Sequence, residues 1–219
     1  ISSTQPYNTS MEYPNFTSTS CTPDGYAVFS YEKLRKALSD CECGCQAFFI
    51  RNGARANDPT QFGLKIYLHK WEAICAYERQ KLAASVGLAP PVGRLIQLRD
   101  KSNKIVRWGY ETCVAVRIDE DSCLWAKLYP TTDEMWNGPV RLRRALRNVS
   151  MAGLPVNDLA EETVCTPTPV KGRAKWCLGG DLHEHNVMEW DGKPVAIDFG
   201  YHCVLSSRTG KITPVYTRF

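Results

Sequence analysis

Three oxygen-bearing side chains in the last quarter of the chain, Asp181, Asn186 and Asp198, have types and spacing suited to phosphate chemistry. Between them, Asp191-Gly192 separates two short apolar runs, and an Asp-Gly pair in that setting predicts a tight hairpin turn. Folding about that turn pairs Trp190 with Lys193, brings Asn186 beside Ile197 and sets His185 beside Asp198. Asn186 and Asp198, twelve positions apart, then meet at the open end of one hairpin. An amide oxygen beside a carboxylate forms a hard-oxygen pair suited to Mg²⁺, which keeps waters and takes the rest of its shell from phosphate. Asp181, five residues before Asn186, falls on the loop entering the hairpin. There a carboxylate is placed to orient or deprotonate a nucleophile.

The pattern D-x-x-x-x-N over Asp181 to Asn186, followed by Asp198-Phe199-Gly200, resembles the catalytic-loop and metal-loop signature of the protein-kinase-like superfamily. That superfamily includes the protein kinases and the aminoglycoside and choline phosphotransferases. The resemblance implies ATP and Mg²⁺ as cofactors, Asp181 as the catalytic base, and Asn186 and Asp198 as ligands of the two metal ions. His183 stands where most protein kinases carry a lysine, and Asp181-Leu182-His183 matches the form found in small-molecule kinases. It joins the expected catalytic set.

The superfamily also needs a strand lysine on the ATP phosphates and a helix glutamate that holds it. Phe62-Gly63-Leu64-Lys65-Ile66-Tyr67 resembles that strand, with Lys65 as the lysine. In the helix that follows, Trp71, Ile74, Cys75, Leu82 and Val86 are expected to mark the buried stripe. Glu78 lies some 20° off that face at about 100° per residue and is the expected partner of Lys65. Glu72, about 100° away, is the poorer candidate. Gly87-Leu88-Ala89-Pro90-Pro91-Val92 resembles the family's link to the next strand. Trp108-Gly109-Tyr110-Glu111-Thr112-Cys113 then lies near the adenine hinge, which puts Glu111 among the nucleotide-binding residues. Gly44, in Asp40-Cys41-Glu42-Cys43-Gly44-Cys45, is the single glycine available for the loop that covers the phosphates.

The chain departs from the family at several points. Its phosphate loop has one glycine, and Gly179-Gly180 replaces the usual His-Arg or His-Gly ahead of Asp181. Nineteen residues follow Gly200 and hold no A-P-E segment. The helical subdomain that recognises a peptide or an aminoglycoside is therefore expected to be missing, and without the arginine ahead of Asp181 the usual activation by a phosphorylated loop is not expected. Such compactness, with a Ser/Thr-rich leader, resembles small kinase-fold effectors injected by pathogenic bacteria through type III secretion. One such family phosphorylates a eukaryotic heat-shock chaperone. The implied activity is a minimal serine/threonine protein kinase acting as a monomer on a folded protein, with a host chaperone as candidate. Its implied place is the cytoplasm or, after secretion, a host cell. Two other readings stay open: a pseudokinase that serves as a binding module, and a kinase-fold enzyme that transfers AMP or another group.

These residues need elements to position them. Helices are expected over residues 31–38 and 70–86, the second stopped by Gly87 and Pro90-Pro91. Strands are expected over Ala47–Ile50, Phe62–Tyr67, 92–98 and 106–118, with a polar hairpin turn at 99–104. From 133 to 162 the pattern is mainly helical, broken at Gly153 and Pro155. The expected fold is α+β and bilobal: a leader over 1–25, an antiparallel-sheet N-lobe with one key helix over 26–115, and a truncated, mainly helical C-lobe over 116–219.

Composition agrees with a globular chain, 43% hydrophobic and 23% charged over 219 residues. No run approaches the ~18–20 apolar residues of a membrane-spanning helix. The net charge of +4 is too small to argue for nucleic acid, and Arg141, Arg143, Arg144 and Arg147 read as the solvated face of a helix. Ten cysteines are too sparse for a disulfide scaffold in a chain this long. Cys75, Cys113, Cys123, Cys177 and Cys203 sit in apolar runs, and Cys41, Cys43 and Cys45 lack the spacing of a zinc site. Reduced thiols are expected.

Overall fold

Among the described residues the first elements are a short antiparallel pair, β1 (Ser20–Cys21) against β2 (Ala27–Ser30). The computed structural model describes residues 15–40, 47–52, 62–149, 163–166, 182–199, 203–206 and 212–214. After β2 come α1 (Tyr31–Asp40), β3 (Ala47–Ile50), β4 (Phe62–Tyr67), α2 (Lys70–Ser85), β5 (Val92–Arg99) and β6 (Ile105–Cys113). The six strands form one sheet in the order β1-β2-β5-β6-β4-β3. Every neighbouring pair is antiparallel except β2 and β5, which run parallel. The expected antiparallel sheet is therefore mixed, within an α+β fold. A parallel neighbour needs a long crossover, and the chain from α1 through α2 supplies it.

Side-chain alternation along β4 sorts the sheet's two faces. Leu64 and Ile66 point into a core with Ala27, Phe29, Leu34, Ile50, Ile96 and Leu98, on the side covered by α1. Tyr67 points the other way, into a smaller core with Tyr110 and the α2 alanines Ala73 and Ala76. Lys65 shares the Tyr67 face, because it lies two residues away on the same strand. Burying a Leu or Ile contributes roughly 1.5–3 kcal/mol. A one-residue slip would forfeit that at several positions and turn Lys65 to the wrong side, so the register is strongly specified.

The leader expected over 1–25 does not extend through its last ten residues. Phe16 packs against the α1-side core, and Asn52 bonds to both its N–H and its carbonyl. Residues 1–14 lie outside the described residues.

The described residues of the second half carry three short helices: α3 (Cys123–Leu128), α4 (Thr132–Asn137) and α5 (Val140–Asn148). Then come β7 (Thr163–Thr166), a 3₁₀ turn (Glu184–Asn186), β8 (Val187–Trp190), β9 (Lys193–Ala196), β10 (Cys203–Ser206) and β11 (Ile212–Pro214). β7 and β11 flank β10 in an antiparallel sheet, so the described residues of this half hold strands as well as helices. The expected helical run from 133 also breaks earlier, at Gly138-Pro139, between α4 and α5. Within α5, Arg141 and Arg144 are exposed as expected, while Arg143 leans toward Asp133 at 3.9 Å.

A third core joins Ala83 at the end of α2 and Ala89 beyond it to Leu142 and Leu146 of α5. Leu182, Val187, Ala196 and Phe199 from the hairpin region complete it, with Ile118 and Tyr129. Among the described residues no helix is long and apolar enough to cross a membrane. Cys21, Cys75, Cys113 and Cys123 are in no disulfide among the described residues; Cys123 is exposed, against the expectation of an apolar setting.

Candidate active site

β8 and β9 pair in the expected register, Trp190 with Lys193 and Val187 with Ala196. Asp191 (φ 52°) and Gly192 (φ 71°) both take the left-handed backbone that a two-residue hairpin turn requires. Ile197 N–H donates to the Asn186 carbonyl at 3.0 Å, which extends the ladder by one step. His185 is in the 3₁₀ turn, where the ladder gives way. Asn186 and Asp198 thus stand at the open end of the hairpin.

Two backbone ties hold this hairpin against the sheet. Val116 and Glu189 exchange a pair of 2.8 Å hydrogen bonds, and Ala196 N–H donates to the Leu88 carbonyl at 2.9 Å. The first tie explains why β6 stops at Cys113 instead of running to 118. Beyond Cys113 the chain leaves β4 and bridges to β8.

The consequence is a contact across 133 positions of sequence. The Lys65 ammonium donates to the Ile197 carbonyl at 3.0 Å and lies 3.5 Å from Asp198 Oδ1. The lysine side chain is 12% exposed and the aspartate 43%, so the cation is sheltered while the carboxylate opens to solvent. Burial pulls the Lys65 pKa down, but Asp198 and Tyr110 outweigh it, and the pKa stands above the ordinary lysine value. Lys65 is a cation at neutral pH.

Glu78 does not pair with Lys65. Alanines, not the larger apolar residues, form the inward face of α2: Ala73, Ala76 and Ala83 are buried with Gln80 and Arg79. Glu78 follows Ala76 by two residues, or about 200° around the helix, and so points away from the sheet. Of the stripe expected to be buried, Val86 is 54% exposed and Trp71, Ile74, Cys75 and Leu82 are half-buried. Ala73 and Ala76 let α2 approach Tyr67 and Tyr110 closely. Glu72 sits in the first turn and accepts from the His69 N–H at 3.3 Å, closing the helix start.

The Glu111 carboxylate is likewise turned elsewhere. It pairs with Leu64 in the ladder while Tyr110 pairs with Lys65, so it lies on the face opposite the lysine. There Arg94 grips it through Nε at 3.0 Å and Nη2 at 2.7 Å, and it also accepts from Arg94 N–H. This carboxylate holds the irregularity between Val92 and Leu95 in β5 rather than reaching a nucleotide on the Lys65 side.

His183 turns back on its own loop. Its Nδ1 lies 3.2 Å from the His185 N–H, and its Nε2 lies 3.0 Å from the Asn186 amide nitrogen. A neutral imidazole has one acceptor nitrogen, so both contacts cannot be hydrogen bonds with the amide in that orientation. Turning the amide over gives Nε2–H an oxygen to donate to and leaves Nδ1 as acceptor. In either arrangement the ring pins the Asn186 side chain. Asp181 and Gly44, expected as base and phosphate-loop glycine, lie outside the described residues.

Residues that the sequence reading did not single out complete the setting. The Tyr110 hydroxyl donates to Gln80 Oε1 at 2.9 Å, and Gln80 Nε2 donates to Thr112 Oγ1 at 2.6 Å and the Pro90 carbonyl at 3.0 Å. Tyr67 stacks on Tyr110 with ring centroids 6.1 Å apart. Burial pushes the pKa of both phenols up, that of Tyr67 well above the ordinary value, so both are neutral. The alanine spacing of α2 was the available signal, since it carries Gln80 on the same face.

A sheltered ammonium, a carboxylate open to solvent and a pinned amide are thus brought together by the hairpin and the sheet. Such a set can bind phosphate oxygens directly and through a divalent cation. No family model, curated protein or solved structure matches this chain.

Proposed function

We propose that the chain is an ATP- and Mg²⁺-dependent phosphotransferase, a minimal bilobal kinase that phosphorylates a serine or threonine of a folded protein. The observation that carries this reading is the Lys65–Asp198 pair at 3.5 Å. Lys65 and Asp198 were singled out separately, one on a strand and one after a hairpin, and they meet. In this reading Lys65 engages the ATP phosphates, and Asn186 and Asp198 hold Mg²⁺. Their chemistry fits: one carboxylate and one amide oxygen suit an ion that completes its shell with water and phosphate. Bound there, Mg²⁺ supplies neutralisation of phosphate charge. Asp181 accepts the proton of the acceptor hydroxyl, and the Trp108–Cys113 stretch of β6 lies near the hinge that receives adenine.

The test is titration of the chain with Mg²⁺-ATP, followed by intact-mass analysis after incubation. Asp198→Ala should weaken Mg²⁺-ATP binding at least ~10-fold and abolish transfer, because it removes the charged ligand. Equal affinity and turnover in the two proteins would refute the assignment. A second reading, nucleotide binding without transfer, is favoured by the absence, among the described residues, of a helix carboxylate on Lys65. It predicts saturable Mg²⁺-ATP binding with no mass adduct and no phosphate release.

A further inference from the structure

We infer that Tyr110, held by Gln80 of α2, is the positioning residue for Lys65 and takes the place of a helix carboxylate. The inference rests on the phosphotransferase reading for its catalytic meaning and on geometry for its structural one. Tyr110 and Lys65 are direct partners across β4 and β6, so their side chains rise side by side from the same face. Tyr110 is fully buried, and Gln80 is 1% exposed.

Every degree of freedom of the phenol is taken. Tyr67 stacks on its ring, and Tyr77 of α2 meets it edge-on at 5.6 Å. Its hydroxyl proton goes to Gln80, whose own amide is fixed by Thr112 and Pro90. The phenol ring, so held, is the cross-strand neighbour of the lysine and walls one side of its stem. A neutral wall steers the lysine stem without cancelling the ammonium charge and without the cost of burying another ion. It also seats α2 through hydrogen bonds between uncharged groups, so the helix needs no ion pair to stay against the sheet. Lys65 then reaches Ile197 and Asp198 from a fixed direction. Such aim matters because a displacement of ~1 Å at a reacting centre can cost about 100-fold in rate.

The test combines Tyr110→Phe, which keeps the ring, with Gln80→Met, which removes the acceptor, and Lys65→Met. Phosphate release from Mg²⁺-ATP gives kcat and KM, and urea unfolding gives stability, for each single variant and each pair with Lys65→Met. Tyr110→Phe is expected to lower kcat about 10-fold with KM changed less than about threefold, and to add nothing further in the Lys65→Met background. Gln80→Met should act in the same direction through the same hydroxyl. In unfolding, the Tyr110→Phe and Lys65→Met losses should be non-additive. Additive losses in the folding cycle would overturn the inference, whatever the chain does with ATP. Wild-type protein that neither binds nor turns over Mg²⁺-ATP would refute the phosphotransferase reading instead, and the folding cycle alone would then decide the role of Tyr110.

Discussion

Among single residues, Tyr129 gives a sharp test of how the third core is built. It is 7% exposed, and its hydroxyl finds no hydrogen-bond partner among the described residues. A buried polar group left unpaired costs about 1–3 kcal/mol, so Tyr129→Phe should leave stability unchanged or raise it by about 1 kcal/mol in urea unfolding. Burial, with Glu184 nearby, pushes its pKa up to about 12. An acid whose folded pKa exceeds its unfolded value binds more protons folded than unfolded above pH ~10. Its stabilising share is complete below pH ~10 and is lost as pH rises toward 12. Tyr129→Phe should therefore shift the alkaline unfolding midpoint upward, read by circular dichroism across that window. A lower neutral-pH stability in the phenylalanine variant would show that the hydroxyl has a partner.

At the scale of elements, the turn between α4 and α5 packs against Leu182, the residue that follows the candidate base in sequence. Gly138 has φ 76°, and a Cβ there would collide with the Leu182 carbonyl oxygen. Leu182 lies between Asp181 and His183, so a shift of this turn displaces the site. Gly138→Ala should cost roughly 2–4 kcal/mol, combining the left-handed backbone with a backbone clash. Gly192→Ala is the control, since its φ is 71° but nothing lies within 4 Å of the added Cβ. It should lose only about 1 kcal/mol. Equal losses at the two glycines would show that the contact with Leu182 contributes nothing. The α2 helix teaches a related lesson. Its large apolar residues suggested one buried face, and the sheet selected the alanine face, because two tyrosines occupy the space beneath.

For the molecule as a whole, one core gathers residues from Ala83 to Phe199, so the sheet side and the helical side share it. Phe199 is 1% exposed within it and directly follows Asp198. Phe199→Ala should cost about 3–5 kcal/mol, and Phe199→Leu less than about 1.5 kcal/mol while keeping Mg²⁺-ATP binding. Because the core is shared, tryptophan fluorescence and far-ultraviolet circular dichroism should report the same urea midpoint. Two separate midpoints would mean that the halves unfold independently. The mixed sheet has the same whole-molecule origin: β2 alone is a short apolar strand, and only its seat beside β5 makes the pairing parallel.

What the sequence by itself determined is mostly local. The Asp191-Gly192 turn set the hairpin register, and with it the meeting of Asn186 and Asp198, because a two-residue loop admits one pairing. The bounds of β3 and β4 followed from apolar runs between turn residues. The start of α2 at Lys70 and its stop before Gly87 followed from equally local signals. Tertiary structure decided what spans many residues. Asp198 rather than Glu78 receives Lys65, and Arg94 rather than a nucleotide receives Glu111. Helical spacing ranks residues around an axis but does not say which side the sheet will press, and strand alternation does not name the partner across a ladder. Those choices depend on how closely two elements approach and on which polar groups lie opposite once they do.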